Sequence, residues 1–147
     1  MPTSAAATPS GSVTIPCTHC ARWNRVDLAR AGAKCGACGT AISLDAPLHL
    51  DDTSFERVIA GSTIPVLVDF YADWCAPCKM MAPAVDQLAR GSAGSALIAK
   101  LDTEAAPHTA QRFQIRGIPT VIVFRNGAET RRHSGAMPLS ALRSMLG

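Results

Sequence analysis

Six cysteines stand in three Cys-x-x-Cys pairs: Cys17/Cys20, Cys35/Cys38 and Cys75/Cys78. A thiolate is both the nucleophile of disulfide exchange and a metal ligand, so the surroundings of each pair decide its chemistry. Cys75 and Cys78 lie in Trp74-Cys75-Ala76-Pro77-Cys78-Lys79, where an apolar, β-branched run gives way to a helical pattern. A cysteine at a helix start has its negative charge stabilised by unpaired backbone N–H groups and by the helix dipole. A second cysteine one turn on can attack a mixed disulfide and release the product. Pro77, in the first turn, forfeits no needed hydrogen bond and fixes the backbone between the sulfurs. Against this redox reading stand two buried structural cysteines, or half of a metal site. Asp69 interrupts the apolar run Val66-Leu67-Val68-Phe70. Buried there, its carboxyl has a raised pKa suited to moving protons near neutrality; at a wet strand end it is an ordinary surface acid.

The other four cysteines, Cys17-Thr-His-Cys20 and Cys35-Gly-Ala-Cys38, are separated by 14 residues. That spacing matches two knuckles closing a tetrahedral site of four cysteines, with Gly36 and Gly39 suited to tight turns. Four thiolates point to one Zn2+ in a closed, structural site and complete its shell, with His19 as a substitute ligand the alternative. Two labile disulfides are the alternative.

Each pair needs elements to hold it. Residues 17–46 offer only Val26, Leu28, Ile42 and Leu44 as bulky aliphatic side chains, too few for a core without a staple. From residue 47 strand and helix signals alternate. Leu48 to Leu50 reads as a short strand, and Thr53-Ser54-Phe55-Glu56 has capping-box spacing with Thr53 as the cap. Pro65 to Tyr71 reads as a buried strand, and a helix is expected from about Cys75 to Arg90, with Met81, Val85, Leu88 and Ala89 on its inner face and a kink at Pro83. Strands are expected at 95–101, 119–125 and 128–133, the last two joined by an Asn126-Gly127 hairpin turn, and helices at 106–113 and 138–146. The expected fold class is α/β, a mixed central sheet flanked by helices. The expected organisation is a flexible tail over 1–16, a zinc-ribbon-like module over 17–46 and the α/β domain over 47–147.

The chain has 147 residues, 48% apolar and 17% charged, which excludes a wholly disordered or solvating role. Its formal charge of +3 divides into +2 for residues 1–50 and +1 for the rest, without a basic run. Nucleic acid and anionic membranes are therefore not expected partners. Zinc held by four thiolates would lower that charge to about +1. Met1 to Pro16 has no Lys or Arg and no apolar stretch of the secretory kind, so the expected address is the cytoplasm. His108 and His133 have no ligand-type spacing and read as surface residues, while Met80, Met81 and Met137 either flank a docking groove or pack.

Residues 47–147 resemble the thioredoxin family. The resemblance is carried by Asp69-Phe70-Tyr71-Ala72-Asp73-Trp74-Cys75-Ala76-Pro77-Cys78-Lys79, by Lys100-Leu101-Asp102, by Arg116-Gly117-Ile118-Pro119-Thr120, by Phe124-Arg125-Asn126-Gly127 and by Gly135. It implies the thioredoxin fold, Cys75 as nucleophile, Cys78 as resolving cysteine, Asp69 as proton acceptor for Cys78, and Lys100 beside Asp69. It further implies a cis Ile118–Pro119 bond against the cysteines and a docking surface of Trp74, Ile118, Pro119, Gly135 and Ala136. With the cysteine-rich segment in front, the chain is similar to the zinc-containing bacterial thioredoxins of the second type, which implies Zn2+ on Cys17, Cys20, Cys35 and Cys38 and no organic cofactor. Two positions depart from the family pattern: Ala76 stands where Gly is usual, and Tyr71 where Trp is usual.

Three functions follow as expectations. The first is a cytoplasmic protein-disulfide reductase, monomeric, acting on oxidised proteins and recycled by thioredoxin reductase. The second is a binding module whose ribbon contacts RNA or protein through Arg22, Trp23, Arg25 and Arg30. The third keeps the fold and reverses direction, as a disulfide donor or isomerase outside the cytoplasm.

Overall fold

The structure, a computed structural model, describes residues 11–147. Of the expected tail, residues 1–10 lie outside the described residues, and the remainder is not a tail. Ser12–Pro16 forms strand β1, paired antiparallel with β2 (Trp23–Asp27). Val13 and Ile15 alternate with polar residues and are buried, a period-two signal masked by the Ser, Thr and Pro around them.

β3 (Leu48–Leu50), β4 (Val66–Tyr71), β5 (Leu97–Asp102), β6 (Thr120–Arg125) and β7 (Ala128–Ser134) form one sheet in the order β3-β5-β4-β6-β7. β3, β5 and β4 run parallel, and β6 and β7 pair antiparallel. The pleat of β4 divides the core. Val66, Val68 and Phe70 face the side of α1 (Phe55–Ala60), where Phe55, Phe70, Phe113 and Phe124 pack with ring centroids 5.3 to 6.5 Å apart. α3 (Pro107–Arg112) adds Phe113, just past its end, to the same side. Leu67 faces α2 (Ala76–Ser92) and α4 (Leu139–Met145), which contribute Met81, Val85, Leu88, Leu142 and Met145. Asp69 and Tyr71 follow Leu67 at steps of two and so emerge on the α2 face.

One expectation at a helix start needs correction. No side-chain cap forms at Thr53; the Asp51 carboxylate instead accepts the N–H groups of Thr53 and Ser54 and the Thr53 hydroxyl, a shorter reach than the capping box demands. α3 takes its cap from a distance, the Asp52 carboxylate accepting Thr109 N–H and hydroxyl at 2.8 and 2.7 Å. The Asn126-Gly127 turn forms as expected, both residues having positive φ (54° and 81°), the primed-turn geometry that matches the twist of β6 and β7.

The cysteine-rich segment is not a separate core. Val13, Ile15 and Val26 belong to the same buried cluster as Leu48, Leu50, Phe55 and Val58. Ser12 N–H donates to Thr63 Oγ1 at 2.8 Å and Thr63 N–H to the Ser12 carbonyl at 2.9 Å. At Gly61 a Cβ would stand 2.8 Å from Thr14 Cβ, so the missing side chain is what lets β1 lie against the end of α1.

Candidate functional site

Cys75 caps α2. Its backbone is extended, and its Sγ accepts the N–H of Cys78 at 3.2 Å, in the position where a thiolate is favoured over a thiol. Ala76 and Pro77 occupy the first turn, with Pro77 giving up only an N–H the helix does not use. Cys75 and Cys78 form a disulfide with Cα atoms 5.3 Å apart; both are buried, among Ala72, Tyr71 and Ile118.

Ile118 and Pro119 are joined by a cis peptide bond, and the Ile118 carbonyl oxygen lies 3.7 Å from Cys75 Sγ. Gly135, at φ 107°, donates its N–H to the Pro119 carbonyl at 2.7 Å, which brings the loop of Gly135 and Ala136 beside the Ile118–Pro119 turn. Trp74 is 69% exposed, a large apolar surface at the mouth of the disulfide, and shares an open groove with Ile118, Thr103 and Arg116. Met80, 78% exposed, adds apolar surface on α2, while Met81 packs inside.

Asp69 is wholly buried on the α2 face, and neither carboxylate oxygen has a hydrogen-bond partner among the described residues. Burial pushes its carboxyl up to about 6, with Lys100 pulling the other way. An unfolded Asp titrates near ~3.9, so the folded chain binds more protons than the unfolded one between about pH 4 and pH 6. Stability from this group therefore falls as pH rises through that window, and the full penalty is present above pH 6. Asp69→Asn is expected to abolish this slope and to stabilise the chain at pH 8 by on the order of 2 kcal/mol, since a neutral amide escapes most of the charge-burial penalty. Urea unfolding at pH 5 and pH 8 checks it; an unchanged difference between the two pH values would count against a buried Asp69 that loses its proton between them.

Lys100 is the register partner of Asp69 across β4 and β5, yet the two make no ion pair among the described residues. Its ammonium instead sits 4.5 Å from the centre of the Tyr71 ring. Thr103, whose N–H and hydroxyl both donate to the Tyr71 carbonyl, holds the strand end; it has no local sequence signature, because its partner is 32 residues away.

The remaining four sulfurs gather by two copies of one local fold. In each knuckle the first cysteine's Sγ accepts an N–H two residues on (His19 to Cys17, Ala37 to Cys35, both 3.4 Å), and its carbonyl accepts one four residues on (Ala21, Gly39). Cys17 Sγ is 3.7 Å from Cys38 Sγ and Cys20 Sγ is 3.6 Å from Cys35 Sγ, with all four within 4.8 Å of one another. These are close to the ~3.8 Å edges of a tetrahedron of sulfurs around a metal at about 2.3 Å, and far beyond disulfide bonding. The Cys38 N–H, with Asn24, holds the Cys35 thiol down at about 6. The cluster can bind a metal ion, and the His19 side chain is outside it.

The two knuckles differ at one equivalent position, the residue after the second cysteine, which takes positive φ in both: Gly39 at 76° and Ala21 at 65°. Ala pays a steric cost there that Gly does not. Ala21→Gly is expected to stabilise the chain by about 0.5 kcal/mol, read from the denaturant midpoint, and a lower midpoint would refute the equivalence.

The thioredoxin family profile matches residues 46–147. "Thioredoxin C-3" of Corynebacterium nephridii is 37% identical over 134 residues, 90% of this chain and 92% of that protein, so the likeness extends into the cysteine-rich segment. "Thioredoxin M-type, chloroplastic" of Pisum sativum is 45% identical over 93 residues, 63% of this chain; the chain spans about half of that relative's length, 54%. Among solved structures, a variant thioredoxin from Halobacterium salinarum superposes with a TM-score of 0.65 at 34% identity, covering 71% of this chain and 91% of that one.

Proposed function

Because the chain belongs to the thioredoxin family, whose members are thiol–disulfide oxidoreductases, we propose that it reduces protein disulfides through Cys75 and Cys78 and is recycled by thioredoxin reductase. The observation that carries this reading is the cysteine pair itself: a disulfide at the start of α2 with Cys75 Sγ on the Cys78 N–H. In the reduced chain, Cys75 thiolate attacks one sulfur of a substrate disulfide; a mixed disulfide forms, and the other substrate sulfur leaves as a thiolate and takes a proton from solvent. Cys78 then gives its proton to the Asp69 carboxylate, and its thiolate attacks Cys75 Sγ. The mixed disulfide breaks, the substrate sulfur leaves Cys75 as a thiolate and takes up a proton, the Cys75–Cys78 bond forms, and two electrons have passed to the substrate. A carboxyl held at about 6 is matched to that proton, and Asp69 is buried on the face of the sheet that α2 covers.

Trp74, Ile118, Pro119, Gly135 and Ala136 are assigned to substrate docking. Support comes from the exposure of Trp74 and the placing of the Ile118 carbonyl beside Cys75, which suits an extended peptide lying across the sulfurs. Cys17, Cys20, Cys35 and Cys38 are assigned to one Zn2+, which their sulfur donors and spacing suit. Bound there, the ion would cross-link the two knuckles; with four protein ligands it would leave no position for substrate. Among the described residues no helix is long and apolar enough to cross a membrane, and we assign the chain, acting as a monomer, to a reducing compartment such as the cytoplasm, where reduced thiols can hold the metal. The test is insulin reduction by the chain with NADPH and thioredoxin reductase. Turnover is expected; a chain that is reduced but leaves insulin intact would sink the proposal.

A further inference from the structure

The site holds an arrangement that the exchange steps do not explain. Asp69, Tyr71, Lys100 and Asp102 share one face of the sheet: Asp69 pairs in register with Lys100 and Tyr71 with Asp102, and Tyr71 follows Asp69 at a step of two. A buried carboxylate with both oxygens unpartnered and a lysine as its register neighbour would ordinarily close an ion pair. Here the lysine is engaged elsewhere, over the face of the Tyr71 ring.

We propose that Tyr71 is a positioning residue of the redox site, whose ring holds the Lys100 ammonium near Asp69 and keeps it out of a direct ion pair with that carboxylate. The proposal rests on the reading of Asp69 as the proton acceptor. A direct ion pair would lock Asp69 in its charged form and leave it a weak acceptor for the Cys78 proton; a lysine removed altogether would leave the carboxyl protonated and equally unable to accept. Holding the cation at an intermediate distance keeps Asp69 able to do both. The groups facing Asp69 are few. β5 offers Lys100 and β6 offers Val121, both in register with Asp69; β4 itself offers Tyr71 at a step of two; and α2, which covers this face, carries Cys78 as a buried cysteine. Burial, and then the charges of Asp102, Asp73 and Asp69, push the Tyr71 hydroxyl up, so these carboxylates also belong to the surroundings of the ring. The aromatic face, more than the hydroxyl, is what the geometry uses, so a ring of another kind can do the same work.

The experiment titrates the Asp69 carboxyl carbon by 13C NMR in the reduced, full-length chain, a readout that does not depend on turnover. Tyr71→Leu is expected to move the Asp69 midpoint down by about one pH unit as Lys100 closes on the carboxylate, and to move the acid limb of the insulin-reduction profile with it. Tyr71→Phe keeps the ring and is expected to titrate like the parent. Lys100→Met is expected to move the midpoint up, and in that background Tyr71→Leu should do nothing further. A Tyr71→Leu midpoint equal to the parent's, a Phe variant that behaves like Leu, or the same shift with Lys100 absent would each overturn the proposal. Should the midpoint move as expected while the pH profile of turnover stays fixed, the ring positions Lys100 but Asp69 is not the acceptor, and it is the assignment of Asp69 that fails.

Discussion

Cys75→Ser is expected to reduce insulin turnover to background. A serine hydroxyl at the start of α2 can accept the Cys78 N–H as the Sγ does, so the fold survives, but it titrates far above neutrality and supplies no nucleophile for a disulfide. Cys78→Ser separates the two steps. Cys75 can still attack, but nothing resolves the adduct, and one substrate molecule is expected to remain bound per chain through a reducible bond, visible as a mass increase. Cys75→Ser should trap nothing. The contrast depends on Cys75 being the cap and Cys78 the residue one turn inside, a difference the structure draws through a single 3.2 Å contact. Full turnover by Cys75→Ser, or equal trapping by both variants, would refute the assigned order.

The second large effect is on stability. Removing the metal with a chelator, or breaking the shell with Cys35→Ser, is expected to destabilise the whole chain by several kcal/mol, a fraction of the ~10–16 kcal/mol that structural zinc binding can contribute. The effect should not be confined to residues 11–46, because Val13, Ile15 and Val26 are packed with Leu48, Phe55 and Val58. Thermal unfolding should therefore show one transition with metal and an earlier onset without it. Metal content near one zinc per chain, with two thiols rather than six reacting rapidly after reduction of the Cys75–Cys78 bond, is the accompanying expectation. A preparation without metal, whose unfolding ignores the chelator, would return the four cysteines to other uses.

What could be read from residues alone was what neighbouring residues decide together. The Cys-x-x-Cys spacing, the proline in the first turn of α2 and the Asn126-Gly127 turn are local conditions on the backbone, and each formed as its spacing implies. Asp69 was legible as an acid breaking an apolar strand, but whether it was buried or wet stayed open in the residues and is decided by α2 covering that face of the sheet. Contacts made across the chain left no such trace. Asp52 caps α3 from 57 residues away, the Thr53 box lost to a nearer carboxylate, and Lys100 turned to a ring on the adjacent strand. The resemblance supplied the expected cis bond at Ile118–Pro119, which spacing could not, because the trans form is the common state of such bonds. β1 escaped notice because two buried aliphatic residues in a stretch of Ser, Thr and Pro carry too little hydrophobic signal, and its pairing partner and its docking site lie in different parts of the chain.

The hydrogen bonds between Ser12 and Thr63 span 51 positions. Closing a loop of that size costs entropy that only later contacts return, and contacts of long sequence separation slow folding. Val13 and Ile15 leave the ribosome ahead of the surface that buries them, α1 and the turn at Thr63, which is synthesised some fifty residues later. During that interval the four cysteines are already complete, and a bound metal can hold the hairpin of β1 and β2 in shape before it has anything to dock against. β1 is thus made before the surface that buries it, and a metal held by the four cysteines would keep the hairpin in shape until that surface exists.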